Sequence, residues 1–122
     1  MQRGARKEGL SRRHRFAAQG SFGPVLRSPG KLRGAAAVLH VASGTPGISR
    51  IGVALARRNV ASSVLRNRVK RLVRELFRRH PVKAGGLDLV VALRGRFEPL
   101  AAKALAEELL GLLDQANART GR

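Results

Sequence analysis

The sequence predicts a small α+β domain, a compact α/β sandwich in which three helices lie against a sheet of three to four strands. Three short apolar segments bounded by turn residues favour β-strands at residues 32–42, 49–56 and 87–93. Two longer segments with apolar residues at helical spacing favour α-helices at residues 62–79 and 98–118. A short helix precedes the first strand, and the resulting order of elements is typical of a small sheet covered by helices.

The strand predictions depend on side-chain alternation and on the flanking turns. Ile51, Val53 and Leu55 alternate along the second segment and would share one face of a strand. The first segment is rich in alanine, so propensity alone does not separate it from a helix. Val38, Leu39 and Val41, together with the turn residues on both sides, favour a strand.

The first and last helices are predicted to differ in length and role. Phe22, Val25 and Leu26 have the i, i+3, i+4 spacing of one helical face, but Pro24 is tolerated only in a first turn, so this helix is short. The last helix carries four of the seven acids in the chain and is interpreted mainly as a packing helix. Its apolar side is expected to contain Leu100, Leu105, Leu109, Leu112 and Leu113.

The composition predicts a protein that binds a polyanion. Lys and Arg number 25 against seven Asp and Glu, which gives a formal net charge of +18 on 122 residues. Such a charge repels itself unless a polyanion neutralises it. Hydrophobic residues make up 43% of the chain, which is too many for a solvated tail. The absence of cysteine excludes disulfides, thiol catalysis and zinc ribbons.

The distribution of charge and apolar residues also predicts the domain organisation. Residues 1–15 are interpreted as a basic, flexible N-terminal arm, residues 16–118 as a single α/β domain that binds the polyanion, and residues 119–122 as a short basic tail. No apolar run approaches the roughly 20 residues that span a bilayer. The basic N-terminus is not followed by the apolar segment of a secretory signal. We therefore expect a cytoplasmic protein without a membrane partner.

The most basic segment covers residues 57–79, with nine Lys or Arg residues against a single acid, Glu75. At about 100° per residue, one helical face carries Leu65, Val69, Leu72, Val73 and Leu76. A face roughly opposite carries Arg66, Asn67, Lys70, Arg71, Arg74 and Arg78. A guanidinium group can donate two parallel hydrogen bonds to a phosphate, and the release of counterions from the nucleic acid drives the association. A solvated charged face is the alternative, but such faces normally mix both signs, so the helix is predicted to bind nucleic acid.

This segment resembles the signature of the bacterial ribonuclease P protein subunit. In that family a strand leads into two basic residues and then into a helix with the motif RNR. The matching sequence is IGVALARRNVASSVLRNRVKRLVRELFR at residues 51–78, with Lys70 one place earlier than in the family pattern. The resemblance extends from about residue 15 to residue 113.

The resemblance implies a small, non-catalytic subunit of an endoribonuclease. Its partner would be a large catalytic RNA that removes the 5′ leader from precursor tRNA, with one protein per RNA. The RNA and the Mg²⁺ ions that it holds would perform the hydrolysis, and the protein alone would hold no cofactor. The resemblance also implies a left-handed β-α-β crossover, whereas general rules favour a right-handed one.

Two sets of site residues follow from the resemblance, position by position. The set facing the catalytic RNA is Arg57, Arg58, Arg66, Asn67, Arg68, Lys70, Arg71 and Arg74. The set lining a cleft for the single-stranded leader, between the first helix and the sheet, is Arg15, Phe22, Leu26 and His40. Leu26 and His40 stand where the family often has aromatic residues, so stacking platforms for bases are few. His40 either lines this cleft or is a strand histidine that faces solvent.

No protein-borne active site is visible in the sequence. The three histidines lack metal-ligand spacing, and Asp88 has no second carboxylate nearby in sequence. Ser62 and Ser63 are expected to cap the basic helix. The alternative function is that of a structural RNA-binding protein, such as a ribosomal protein or an RNA chaperone. A DNA-compacting protein is a less favoured third alternative, since nothing in the sequence suggests a dimer that binds in a DNA groove.

Overall fold

The structure is a computed structural model that describes residues 14–16 and 22–120. The strands are β1 (Gly30–Arg33), β2 (Ala37–Ser43), β3 (Arg50–Ala54) and β4 (Leu87–Leu93). The α-helices are α1 (Gly23–Leu26), α2 (Ser63–Arg78) and α3 (Ala102–Thr120), and 3-10 turns cover Pro81–Ala84 and Pro99–Ala101. The predicted α+β class, with three helices and four strands, is confirmed.

The four strands form one mixed sheet in the order β1-β2-β4-β3. β1 pairs with β2, and β2 with β4, in antiparallel fashion, while β3 and β4 run parallel. Parallel neighbours require a crossover connection, and α2 supplies it between β3 and β4. The basic helix is therefore fixed to the sheet at both of its ends.

The main core lies between one face of the sheet and the two long helices. It contains Leu39 of β2, Val53 of β3 and Val91 of β4, which are at most 3% exposed. Phe77 of α2 is fully buried in the same cluster, although it is not among the residues predicted for the apolar face of that helix. Leu105, Leu109, Leu112 and Leu113 of α3 are also buried, as predicted.

The first predicted strand is wrong in one respect, because residues 32–42 are divided between β1 and β2. The Glu108 carboxylate of α3 accepts hydrogen bonds from the backbone N–H groups of Ala36, at 2.9 Å, and Ala37, at 2.8 Å. A β-carbon at Gly34 would overlap the same carboxylate, so a larger residue there would displace Glu108 from the turn. The Glu108 contact fixes a tight turn where the sequence suggested continuous strand.

The ends of two predicted segments also need correction. Pro99 opens a 3-10 turn, so α3 begins four residues later than expected, and Leu100 is fully exposed instead of packed. At the other end α3 continues to Thr120, so the predicted basic tail from residue 119 begins inside a helix. His14 and Arg15 of the predicted N-terminal arm lie against the sheet; residues 1–13 and 121–122 lie outside the described part of the chain.

Candidate nucleic-acid interface

The basic helix α2 begins at a side-chain cap and packs one face into the core. The Ser62 hydroxyl oxygen accepts a hydrogen bond from the backbone N–H of Leu65 at 3.3 Å, which confirms Ser62 as the N-cap. Val69, Val73 and Phe77 are buried beneath the helix. Burial of these residues holds α2 in one orientation and directs the remaining side chains outward.

Five of the predicted RNA-facing residues are exposed to solvent. They are Arg57 and Arg58 in the turn before α2, and Asn67, Arg68 and Arg71 on the helix. None of the four arginines in this group forms an ion pair within the described residues. Unpaired guanidinium groups keep all of their N–H donors for a phosphate.

The other three predicted RNA-facing residues are half-buried: Arg66, Lys70 and Arg74. The helical spacing predicts that they lie opposite the apolar face, and this prediction is wrong. Phe77 belongs to the buried face and lies about 20° from Arg66 on the helical wheel. The row therefore follows the border of the core, where Arg66 Nη1 donates to the carbonyl oxygens of Val60, at 3.2 Å, and Ala61, at 3.0 Å.

Arg74 joins this row to the N-terminal segment. Its Nε atom is buried and has no hydrogen-bond partner in the described residues. Burial lowers the pKa of Arg74, and the positive charge of Arg15 lowers the pKa further. Arg15 itself is exposed and forms an isolated bridge with Ile51 at the free edge of β3. The structure therefore brings together one residue from each of the two predicted site sets.

The only acid of α2, Glu75, lies near the C-terminal end of the helix. The Glu75 carboxylate contacts Arg78 at 2.6 Å and Arg79 at 2.8 Å. The hydrogen bond from Arg78 is the main cause that lowers the pKa of Glu75. The positive charge that remains unpaired is consequently concentrated in the first half of the helix and in the turn before it.

The face of the sheet opposite the main core, which α1 contacts, is here called the α1 face. Strand register places Lys31, His40, Val90 and Gly52 in one row across the sheet. Phe22 lies over Gly52 so closely that a β-carbon there would overlap its ring. Because directly paired residues point to the same side of a sheet, His40 is on the α1 face too. Phe22 and His40 thus share one face, with Val90 between them.

His40 is half-buried on the α1 face and is not the solvent-facing histidine of the alternative interpretation. Its Nδ1 atom is buried and has no hydrogen-bond partner among the described residues. Burial lowers the pKa of His40, and the charges of Lys31 and Arg33 lower it further. The imidazole is therefore neutral at neutral pH and can accept or donate a hydrogen bond. Leu26, the remaining predicted cleft residue, is half-buried at the end of α1.

Sequence reasoning missed an ion pair on the α1 face. Arg50 of β3 binds Asp88 of β4 through two hydrogen bonds, Nε to Oδ1 at 2.9 Å and Nη2 to Oδ2 at 2.7 Å. The Arg50 guanidinium carbon also lies 4.5 Å from the ring centre of Phe16. The two charged residues are 38 positions apart, and only the parallel register of β3 and β4 reveals that they are neighbours.

Within the described ranges 14–16 and 22–120, no three His, Asp or Glu side chains come together in a group that could hold a metal ion. Across the same residues, no helix is long and apolar enough to cross a membrane.

The fold and the charge distribution define a small α+β protein with one strongly cationic helix. The family model of ribonuclease P matches residues 10–117, and the chain belongs to this family. The ribonuclease P protein component of Nitrosomonas europaea is 35% identical over 107 residues, covering 88% of this chain and 90% of that protein. The component of Nitrosomonas eutropha is 40% identical over 70 residues, covering 57% of this chain and 58% of that protein.

A solved structure shows the same fold. The ribonuclease P protein from Thermotoga maritima aligns with a TM-score of 0.67 and 26% sequence identity, covering 84% of this chain and 97% of that one. The family resemblance inferred from the RNR motif is thereby confirmed.

Proposed function

We propose that this chain is the protein subunit of ribonuclease P and that it promotes removal of the 5′ leader from precursor tRNA. Membership of the ribonuclease P family places it in an endoribonuclease that acts in tRNA 5′ processing. The observation that carries the molecular part of the proposal is the unpaired positive charge around the first half of α2. The alternative of a structural RNA-binding protein without a role in tRNA processing is not favoured by this membership.

In this proposal α2 faces the catalytic RNA. Arg57, Arg58, Arg68 and Arg71 are exposed and keep their donors for phosphate oxygens, and Asn67 adds a donor and an acceptor between them. The half-buried row of Arg66, Lys70 and Arg74 lies beside this group. Contacts of this kind position an RNA without reading its sequence. Affinity for the catalytic RNA should therefore fall steeply as salt is added.

The α1 face is the proposed binding site for the single-stranded leader. Phe22, Leu26 and His40 lie on or beside it, and Arg15 borders it at the edge of β3. The N-terminal segment that carries Arg15 also approaches Arg74 of α2. A nucleic acid on the α1 face would therefore pass close to the RNA that α2 binds, which is what a shared cleavage site requires.

Hydrolysis is assigned to the catalytic RNA and to Mg²⁺ ions that the RNA holds. Two polyanions, the catalytic RNA and precursor tRNA, must approach each other, and a subunit with a net charge of +18 reduces their repulsion. The protein should therefore lower the Mg²⁺ concentration at which the complex works. We further propose one protein per catalytic RNA and a cytoplasmic location, where tRNA precursors are processed.

Affinity measurements with the reconstituted complex test this assignment. The complex should bind precursor tRNA more tightly than mature tRNA, and the preference should exceed that of the RNA alone. Equal affinity for precursor and mature tRNA, with and without protein, would contradict leader binding. Failure of the protein to bind the catalytic RNA would contradict the subunit assignment as a whole.

A further inference from the structure

A continuous set of contacts connects Asp88 to Phe22 on the α1 face, where the leader is proposed to bind. Asp88 binds the Arg50 guanidinium at 2.9 and 2.7 Å, and that guanidinium lies 4.5 Å from the ring centre of Phe16. The rings of Phe16 and Phe22 meet edge to face, with centres 5.1 Å apart. Phe22 in turn lies over Gly52. Asp88 therefore fixes Arg50 against the ring of Phe16, which in turn contacts Phe22.

Arg50 retains binding capacity in this arrangement. Its Nε and Nη2 atoms are bound to Asp88, while Nη1 has no hydrogen-bond partner among the described residues. The Arg50 side chain is 36% exposed, whereas that of Asp88 is only 11% exposed. A donor that is already oriented by two hydrogen bonds loses little conformational entropy when it binds a ligand.

The charge balance at this position argues against a phosphate as the ligand of Arg50. The Asp88 carboxylate compensates the guanidinium charge at contact distance, and a phosphate beside the pair would also meet that carboxylate. A nucleobase carries carbonyl oxygens and ring nitrogens that accept hydrogen bonds without adding charge. Guanidinium planes and aromatic rings are also the groups on which unpaired bases stack in RNA complexes.

We propose that Arg50, held by Asp88, binds a base of the precursor leader and not its phosphate. This inference depends on the proposed function of the α1 face and adds a specificity-determining contact to it. Arg50 contacts the base, and Asp88 acts as a positioning residue that orients Arg50 and neutralises its charge. The pair thereby compensates for the leucine at position 26, where the family often has an aromatic residue.

The test combines leader modifications with protein variants in the reconstituted complex. Abasic nucleotides placed one at a time along the leader remove single bases, and methylphosphonate linkages remove single phosphate charges. Arg50→Lys keeps the charge but loses the two-pronged geometry. Arg119→Lys, an exposed arginine in the last turn of α3, is the matched control. Circular dichroism and thermal unfolding establish that each variant is folded.

One leader position should be sensitive to loss of its base in the wild-type complex, by about 3- to 10-fold in affinity, the value of one hydrogen bond. Arg50→Lys should weaken binding of the intact precursor by a similar factor and remove the sensitivity at that position. Its affinity for mature tRNA, and its response to methylphosphonates, should match those of the wild type and of Arg119→Lys.

Asp88→Asn provides a second, independent readout. Without the carboxylate, the Arg50 charge is uncompensated and attracts phosphate, so leader binding should become more dependent on salt and less dependent on the base. If Asp88 has only a structural role, Asp88→Asn should weaken leader binding without changing its dependence on salt or on the base.

Distinct results would overturn the contact or the function on which it depends. If no single abasic position in the leader weakens binding to the wild-type complex, the base contact is overturned, whatever the variants do. Loss of methylphosphonate sensitivity in Arg50→Lys would assign Arg50 to a phosphate and also overturn it. A wild-type complex that does not prefer precursor over mature tRNA would instead contradict the proposed function itself, and the base contact with it.

Discussion

The ring of Phe22 lies against Gly52, with no room for a β-carbon between ring and strand. The glycine is buried, and it allows the ring of Phe22 to approach β3 more closely than a residue with a β-carbon would permit. Phe16 also lies close to this position, with its Cδ2 atom 3.1 Å from the place of a β-carbon. One glycine therefore determines the position of both aromatic rings on the α1 face.

Gly52→Ala should displace Phe22 and weaken leader binding. The added methyl group overlaps the ring, and overpacking of this kind costs about 1–3 kcal/mol of unfolding free energy. Precursor tRNA should bind the reconstituted complex less tightly, while affinity for mature tRNA stays unchanged. Chemical denaturation and tRNA binding measure the two effects.

Gly111→Ala is the matched control for that substitution. No atom lies within 4 Å of a β-carbon at Gly111, which lies inside α3. The change should therefore raise the unfolding free energy by about 0.5–1 kcal/mol. A Gly52→Ala protein as stable as wild type, with unchanged precursor affinity, would contradict the close contact between ring and strand.

Substitution of Arg68 and Arg71 by Ala should weaken binding to the catalytic RNA. Both residues are exposed and unpaired, so the unfolding free energy should change by no more than about 0.5 kcal/mol. The slope of log affinity against log salt should become shallower by up to about 0.9 for each lost phosphate contact. A salt titration of RNA binding measures this slope, and an unchanged slope would mean that both residues face solvent in the complex.

Arg66→Ala separates the structural role of the half-buried row from its binding role. Removal of the Arg66 guanidinium leaves the carbonyl groups of Val60 and Ala61 without their donor, at a cost of about 0.5–1.5 kcal/mol. The protein should therefore lose stability as well as RNA affinity. A variant as stable as wild type would show that these two hydrogen bonds contribute nothing to folding.

Leu26→Phe should strengthen leader binding. A base stacked on an aromatic ring gains about 1–3 kcal/mol, and position 26 holds leucine where the family often has an aromatic residue. Precursor affinity should rise, and mature tRNA affinity should not. Thermal unfolding is the control, because a larger side chain at this half-buried position can also overpack. Equal changes for both tRNAs, or none in a folded variant, would place Leu26 outside the leader path.

His40 should make the protein less stable as the pH falls. Burial and the charges of Lys31 and Arg33 hold the pKa of His40 in the folded protein below its unfolded value near 6.5. The unfolded chain therefore binds the proton more readily, and stability is lost as the pH drops from about 6.5 through the folded pKa.

NMR titration of the histidines and denaturation at several pH values measure this effect. His40→Gln should flatten the dependence in this range, and Lys31→Gln should raise the pKa of His40. A His40 that titrates at or above about 6.5 in the folded protein would contradict the role of burial and of the two cations.

Local patterns in the sequence were sufficient for α2 and β4. The predicted helix at residues 62–79 differs from α2 by one residue at each end, because the Ser62 cap and the apolar spacing are both local signals. Residues 87–93 coincide with β4. The RNR motif was likewise local, and it identified the family.

Contacts between distant residues account for the errors. Glu108 divides the first predicted strand from 72 positions away, and no pattern within residues 32–42 contains that information. The Arg50–Asp88 pair depends on the register of two strands separated by a helix. Phe77 shifts the buried face of α2 towards Arg66 because the main core extends further along the helix than its apolar spacing suggested.

Cleavage of precursor tRNA at low Mg²⁺ tests the central assignment most directly. The measurement compares the cognate catalytic RNA alone, the protein alone, and the two reconstituted together. The complex should release the 5′ leader at Mg²⁺ concentrations where the RNA alone is nearly inactive, and the protein alone should cleave nothing. A rate unchanged by the protein, or leader removal by RNA-free protein, would contradict the account.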